Sequence, residues 1–166
     1  MLNLVVCCSG AGSNLIAIYN AINNGILVAD IKCVIINRKE AVCLEFCRGN
    51  NIKYRLLEWD KSILRREEYD TIVVDNIKIY NPGLVVLAGW MHIISNDFIT
   101  TFKNIINLHP ALPNTFIGTN CIEKAYNAFQ QDKITYTGSM VHRVIEEVDK
   151  GEVLEQIRVP INNNDT

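Results

Sequence analysis

No apolar run in this 166-residue chain is long enough to cross a bilayer. The N-terminus, Met1-Leu2-Asn3-Leu4-Val5-Val6, lacks the charged region that precedes the apolar core of a secretion signal. Neither sign of charge is in excess. The formal net charge is −2, which leaves no basic footprint for nucleic acid and no polybasic patch for a lipid surface. The six cysteines follow neither a CxxC nor a zinc-finger spacing. Cys7, Cys8 and Cys33 lie in apolar runs, and Cys43 and Cys47 sit four apart on a predicted helix. They read as small buried hydrophobes in a reducing compartment. Proline and glycine are scattered singly, with no linker and no internal repeat. These absences predict a cytoplasmic protein of one domain, with no footprint for membrane or nucleic acid.

What is present is an alternation of short apolar runs and amphipathic stretches. Hydrophobic residues make up 49% and charged residues 20%, ordinary values for a globular chain. Strands are predicted at Leu2–Cys8, Ile31–Ile36, Ile52–Leu57, Leu84–Ala88 and Ile105–Leu108. Helices are predicted at Leu15–Asn24, Ala41–Asn50, Arg65–Tyr80 and Thr119–Gln130, with a short one capped by Ser95. On the long third helix, Tyr69, Ile72, Val73 and Asn76 are placed on one face; Trp59, Trp90 and most other aromatics read as core. Unbroken apolar strands are usually covered on both faces, and their alternation with helices favours right-handed βαβ units. The rhythm then breaks. Ile134–Val144 and Val153–Val159 read as strands joined around Asp149-Lys150-Gly151, an antiparallel pair. The predicted fold is α/β: an open, mostly parallel twisted sheet with helices on both faces and an antiparallel C-terminal strand pair. Ligands in such folds sit at the carboxyl ends of the strands, where Ser9–Asn14, Gly89–Ile93 and Asn107–Gly118 fall.

Each of these segments has a chemical and a structural reading. In Ser9-Gly10-Ala11-Gly12-Ser13-Asn14, two glycines and a following helix start can turn amide N–H groups toward a phosphate. It is neither a dinucleotide fingerprint nor a P-loop, and it also reads as a tight turn capped by Ser13. Asn107 and His109 are two apart on an extended segment, so both project to one side. An amide can stabilise a tetrahedral oxyanion while an imidazole handles protons; the alternative is a satisfied polar pair at a strand end. His92, after Gly89-Trp90-Met91, reads as a pocket wall or a surface residue. Glu146 to Lys150 reads either as a solvated turn or as one that aims Asp149 at His109; spacing alone does not choose.

The ordered set Ser9–Leu15, Val85-Val86-Leu87-Ala88-Gly89-Trp90-Met91, Asn107-Leu108-His109-Pro110, His142 and Glu147-Val148-Asp149-Lys150-Gly151 resembles the phosphoribosylglycinamide formyltransferases of the formyltransferase family. The resemblance runs from Met1 to about Pro160. It implies formyl transfer from 10-formyltetrahydrofolate, as co-substrate, to the amine of glycinamide ribonucleotide in purine synthesis, with no metal. It implies catalytic roles for Asn107, His109 and Asp149, a phosphate loop at Ala11, Gly12, Ser13 and Asn14, and folate contacts at Arg66, Met91, His92, Ile93, Ile94 and Val144. The chain stops before the last C-terminal helix that family members usually carry, so a single formyltransferase domain over residues 1–166 without that helix is implied, acting as a monomer or weak homodimer. His92 stands where many relatives carry Arg, and Thr119-Asn120-Cys121 replaces histidines found in bacterial relatives. A formyltetrahydrofolate hydrolase, another formyltransferase and a non-catalytic folate- or phosphate-binding module are the competing readings.

Overall fold

The computed structural model describes residues 1–165. In chain order the elements are β1 (Leu2–Cys8), α1 (Ser13–Asn23), β2 (Ala29–Ile36), α2 (Cys43–Gly49), β3 (Tyr54–Leu56), α3 (Arg66–Lys78), β4 (Leu84–Leu87), α4 (Asn96–Thr101), β5 (Ile105–His109), α5 (Cys121–Gln130), β6 (Tyr136–Arg143) and β7 (Val153–Pro160). They form two compact units, the first Met1–Ile105 and the second from Ile106 onward.

In the first unit β1 pairs in parallel with β2 and β4, and β2 in parallel with β3, giving the order β3-β2-β1-β4. Leu4 to Cys8 of β1 and Cys33 to Ile36 of β2 are buried without interruption, as a strand covered on both faces requires. Full burial of one such aliphatic side chain contributes about 1.5–3 kcal/mol. The chain steps from β1 outward to β3, then returns through α3 to β4 on the other side of β1. With right-handed crossovers, that reversal puts α1 and α2 on one face and α3 on the other. Accordingly α1 packs with α2, and α3 with α4. The same reversal opens a crevice at the carboxyl ends of β1 and β4.

In the second unit β5, β6 and β7 run antiparallel in that order, with Asn107 opposite His142 and His109 opposite Met140. The fold is thus the open, mostly parallel α/β architecture with antiparallel C-terminal strands that the sequence predicts, and β5 joins the antiparallel set. Along β6, Gly138, Met140 and His142 are buried in alternation. A side chain at Gly138 would meet the Ile157 carbonyl oxygen at 2.1 Å, so β7 crosses there only because the residue is glycine.

Three local expectations need correction. The buried face of α3 is Tyr69, Asp70, Val73, Val74 and Ile77, and Ile72 is exposed. An aspartate on the buried face broke the apolar pattern by which the face was read. Among the described residues only Tyr69, Trp90 and Phe98 of the aromatics are buried, and Trp59 is half-buried; large rings often keep one edge in water. Ser13 lies inside α1, whose N-cap is Gly12. All six cysteines are free and buried. Among the described residues, no helix is long and apolar enough to cross a membrane, and no group of three or more His, Cys, Asp or Glu has a metal-holding arrangement.

Candidate functional site

At the crevice of the first unit, the loops after β1 and β4 are tied together. Ser9 N donates to the Gly89 carbonyl at 3.1 Å, and Met91 N donates to Ser9 Oγ at 2.8 Å. Gly12 has φ 78°, a left-handed conformation that only glycine adopts at no strain. It also packs so closely on α2 that an added Cβ would meet Cys43 Cβ at 2.5 Å. Sequence alone supplied the first of these reasons for glycine and not the second. Gly12→Val would therefore disturb the loop as well as fill it. The turn delivers Ser13 and Asn14 into the first turn of α1, whose amides have no partner within the helix. Ala11 and Ser13 are exposed, Gly12 is buried and Asn14 half-buried.

In the loop after β4, side chains alternate. Met91 is 64% and Ile93 59% exposed, whereas the His92 side chain is 4% exposed and Ile94 is buried. The His92 ring is therefore not the pocket wall or surface group that the sequence suggested. Its Nε2–H donates to Asp70 Oδ1 at 2.6 Å, and Trp59, Tyr69 and Trp90 surround it edge-on. Arg66 stands exposed in the first turn of α3, 3.2 Å from Glu67.

In the second unit, Asn107, His109, His142 and Asp149 converge. The side chains of His109, His142 and Asp149 are 5%, 3% and 6% exposed. Asp149 could have been a solvated turn residue, and it is turned inward. Two features fold the turn back on itself. Asp149 adopts φ 57°, and at Gly151 a Cβ would meet the Arg143 carbonyl oxygen at 1.7 Å. A left-handed non-glycine residue is strain of the kind that collects at functional sites. Asp149 Oδ2 accepts from Gly118 N at 3.0 Å, and Oδ1 lies 3.3 Å from His109 Nδ1 and 3.4 Å from Asn107 Nδ2. Gly118 N and Asn107 Nδ2 are donors to the carboxylate and His109 Nδ1 can be one, while His142 Nε2 lies 3.5 Å from Oδ1.

The proton arrangement follows from the partners. His109 Nε2 donates to the Phe116 carbonyl at 2.7 Å, while its Nδ1 faces Asp149. With an acceptor on either side, the ring satisfies both only when both nitrogens carry hydrogen. His142 differs. Its Nδ1 donates to the Arg143 carbonyl at 2.8 Å, and its Nε2 can then accept from Asn107 Nδ2 at 3.1 Å. His142 Nε2 thus holds one amide hydrogen of Asn107. The other points along the longer contact to Asp149, the easier one to give up to a ligand.

Of the residues singled out in the sequence, Asn107, His109 and Asp149 come together, and Val144 follows the end of β6, half-buried. Sequence reading placed the loop up to Gly118 at the site but missed Cys121 and the backbone groups that support it. Cys121 Sγ lies 3.1 Å from the Phe116 carbonyl and 3.0 Å from that of Gly118, where it can donate, fastening the segment that holds both His109 and Asp149. Burial pushes this thiol up from its ordinary value. Gly118 (φ 81°) and Pro113, which mark a constrained loop, were the available signals; backbone groups as partners have none.

The arrangement pairs a buried carboxylate and imidazole with a tethered amide donor, a set suited to acyl transfer by acid–base and oxyanion chemistry. Comparison with known proteins agrees. The formyl transferase family model matches residues 2–166, through both units. The phosphoribosylglycinamide formyltransferase of Schizosaccharomyces pombe is 43% identical over 99% of this chain and 85% of its own length. That of Dictyostelium discoideum is 40% identical over 99% and 86%. The crystal structure of the Bacillus halodurans phosphoribosylglycinamide formyltransferase superposes with a TM-score of 0.90 at 29% identity, over 99% of this chain and 82% of that one. The chain belongs to the formyl transferase family, alongside its phosphoribosylglycinamide formyltransferases.

Proposed function

We propose that this enzyme transfers the formyl group of 10-formyltetrahydrofolate to the primary amine of glycinamide ribonucleotide, as a cytoplasmic step of purine synthesis. The observation that carries the mechanism is the Asp149 carboxylate standing 3.3 Å from His109 Nδ1 and 3.4 Å from Asn107 Nδ2. The amine attacks the formyl carbon as a free base and makes a tetrahedral alkoxide. Asn107, turned from Asp149, donates to that oxygen. Collapse breaks the bond from carbon to N10 of the folate. N10 gains a proton and the former amine loses one, so protons balance over the reaction. His109 is the group that delivers the proton, and Asp149 stands opposite its Nδ1 to orient the ring. Since both His109 nitrogens are engaged in the free protein, delivery requires N10 or a water to replace one of its present partners.

We assign the ribonucleotide phosphate to the amides of Ala11, Gly12, Ser13 and Asn14, where a glycine turn meets a helix start. The pterin is assigned to the loop Met91 to Ile94, whose exposed Met91 and Ile93 offer apolar surface to a flat ring, with Arg66 toward the folate's acidic tail; Val144 of the second unit is assigned to the folate as well. Both ligands are small molecules; no metal, nucleic acid or membrane takes part, and the chain acts as a monomer or weak homodimer.

The test is a formyl-transfer assay with 10-formyltetrahydrofolate and, in turn, glycinamide ribonucleotide, methionyl-tRNA and water as acceptor. Formylated ribonucleotide is the expected product. Formate without an acceptor would identify a hydrolase, formyl-methionyl-tRNA the tRNA-directed activity, and ligand binding without any product a binding module.

A further inference from the structure

Asp70 sits in the second turn of α3 and is 1% exposed, yet among the described residues it pairs with no lysine or arginine. Its two carboxylate oxygens instead reach the two ends of one short segment. Oδ1 accepts from His92 Nε2 at 2.6 Å, and Oδ2 accepts from the backbone amide of Ser95. Ser95 Oγ in turn accepts from Phe98 N at 3.4 Å, so the second bond also fixes the start of α4. Around the His92 ring, Trp59 stacks on Tyr69 at 5.5 Å between centroids, and both meet the imidazole edge-on at 4.8 and 5.2 Å. Tyr69 OH donates to the Leu57 carbonyl at 2.8 Å, which anchors that side of the cage.

A buried carboxylate is costly unless its hydrogen bonds are filled. This one is filled entirely by the segment from His92 to Ser95, and the result is geometric. With His92 held inward at one end and the Ser95 amide at the other, Met91 and Ile93 are left facing outward. A segment pinned at both ends cannot turn its outward side chains away without breaking a buried charge-assisted bond.

We infer that Asp70, acting through His92 and Ser95, is a positioning residue that sets the outward presentation of Met91 and Ile93 for the pterin ring of the formyl folate. The inference rests on the assignment of that loop to the folate in the proposed function. Asp70 touches no substrate, so its effect belongs on folate recognition and not on chemistry or on the ribonucleotide.

Asp70→Asn keeps the side-chain size and removes the charge that binds His92. In steady-state assays with each substrate varied, the variant is expected to raise KM for 10-formyltetrahydrofolate about tenfold, with KM for the ribonucleotide and kcat within about twofold of the parent. His92→Gln leaves the Asp70–Ser95 bond intact and is expected to shift the same constant in the same direction by less. It also decides the matter if Asp70→Asn does not fold. An unchanged folate KM in folded variants, or equal increases for both substrates, would overturn the inference as a case of no coupling or of general loosening. A parent chain without formyl transfer would instead overturn the functional reading beneath it; an active parent with unaffected variants removes the inference alone.

Discussion

In the first unit β1 and β2 bury apolar side chains in continuous runs, Leu4 to Cys8 and Cys33 to Ile36, whereas in the second β7 leaves all eight of its residues exposed and the buried positions of β5 and β6 include His109 and His142. The first unit is held by non-directional burial, which tolerates many sequences of similar volume. The second gains order from a polar network in which Asn107, His109, His142 and Asp149 each have specific partners. Such a network is intolerant: loss of one member leaves others buried without a bond. The difference teaches that an apolar scaffold and a chemically committed polar cluster can follow one another in a short chain, and that substitutions in the apolar strands of the first should act on stability and those in the polar cluster of the second on turnover.

The sharpest test of that contrast is His109→Ala. Removing the proton-handling group should lower kcat by about 10²–10⁴ with the fold retained by circular dichroism. Asp149→Asn should fall in the same range, and the double variant should be little worse than the worse single one, because the two act as a unit. Full turnover in His109→Ala would break the assignment. Next comes Asn107→Ala, for which the loss of an oxyanion donor predicts about 10²–10³ in kcat, or about 3–4 kcal/mol. Ground-state affinities should move less, and an equal loss of binding would make Asn107 a substrate contact instead.

A matched pair of stability variants sharpens the other half of the comparison. Ile35 is fully buried on β2, so Ile35→Ala should destabilise by about 2–5 kcal/mol in urea denaturation. Ile157 on β7 is 62% exposed, and Ile157→Thr should stay within about 0.5 kcal/mol. Similar losses at both would show that β7 is covered in solution. The smallest effect concerns the cysteines. Burial pushes the Cys7 thiol up and raises that of Cys47 to about 12, and the Cys8 thiol is held up chiefly by its hydrogen bond to Cys43. The same bond lowers Cys43. A thiol reagent at neutral pH should therefore modify the native protein slowly, and all six cysteines at once in denaturant. Rapid labelling of Cys7 in native protein would contradict the sealed core.

Much of this molecule was legible from residue pattern. The apolar runs at Leu4–Cys8 and Leu84–Leu87 announced β1 and β4 because a strand covered on both faces must be apolar throughout. Asn107 and His109 could be placed on one side of β5 because strand geometry alternates with period two. The inward turn of Asp149 was not legible. Its neighbours Glu146, Glu147 and Lys150 are those of a solvated turn, and the decision lies in Gly118 N, a backbone donor reached across 31 residues. Asp70 was hidden for a related reason, since a carboxylate on a helix face counts as polar until its partners are known.

By itself the sequence determined the order of strands and helices, the glycine turn ahead of α1 and the residue types able to transfer an acyl group, since all three depend on local conformational preference and side-chain chemistry. Only the tertiary structure decided which polar groups are buried together: Asp149 with His109 and Asn107, Asp70 with His92 and Ser95. The physical reason is that burial of a charge depends on donors brought in from distant segments, and a donor's position in space is set by packing and not by the residues beside it in the chain.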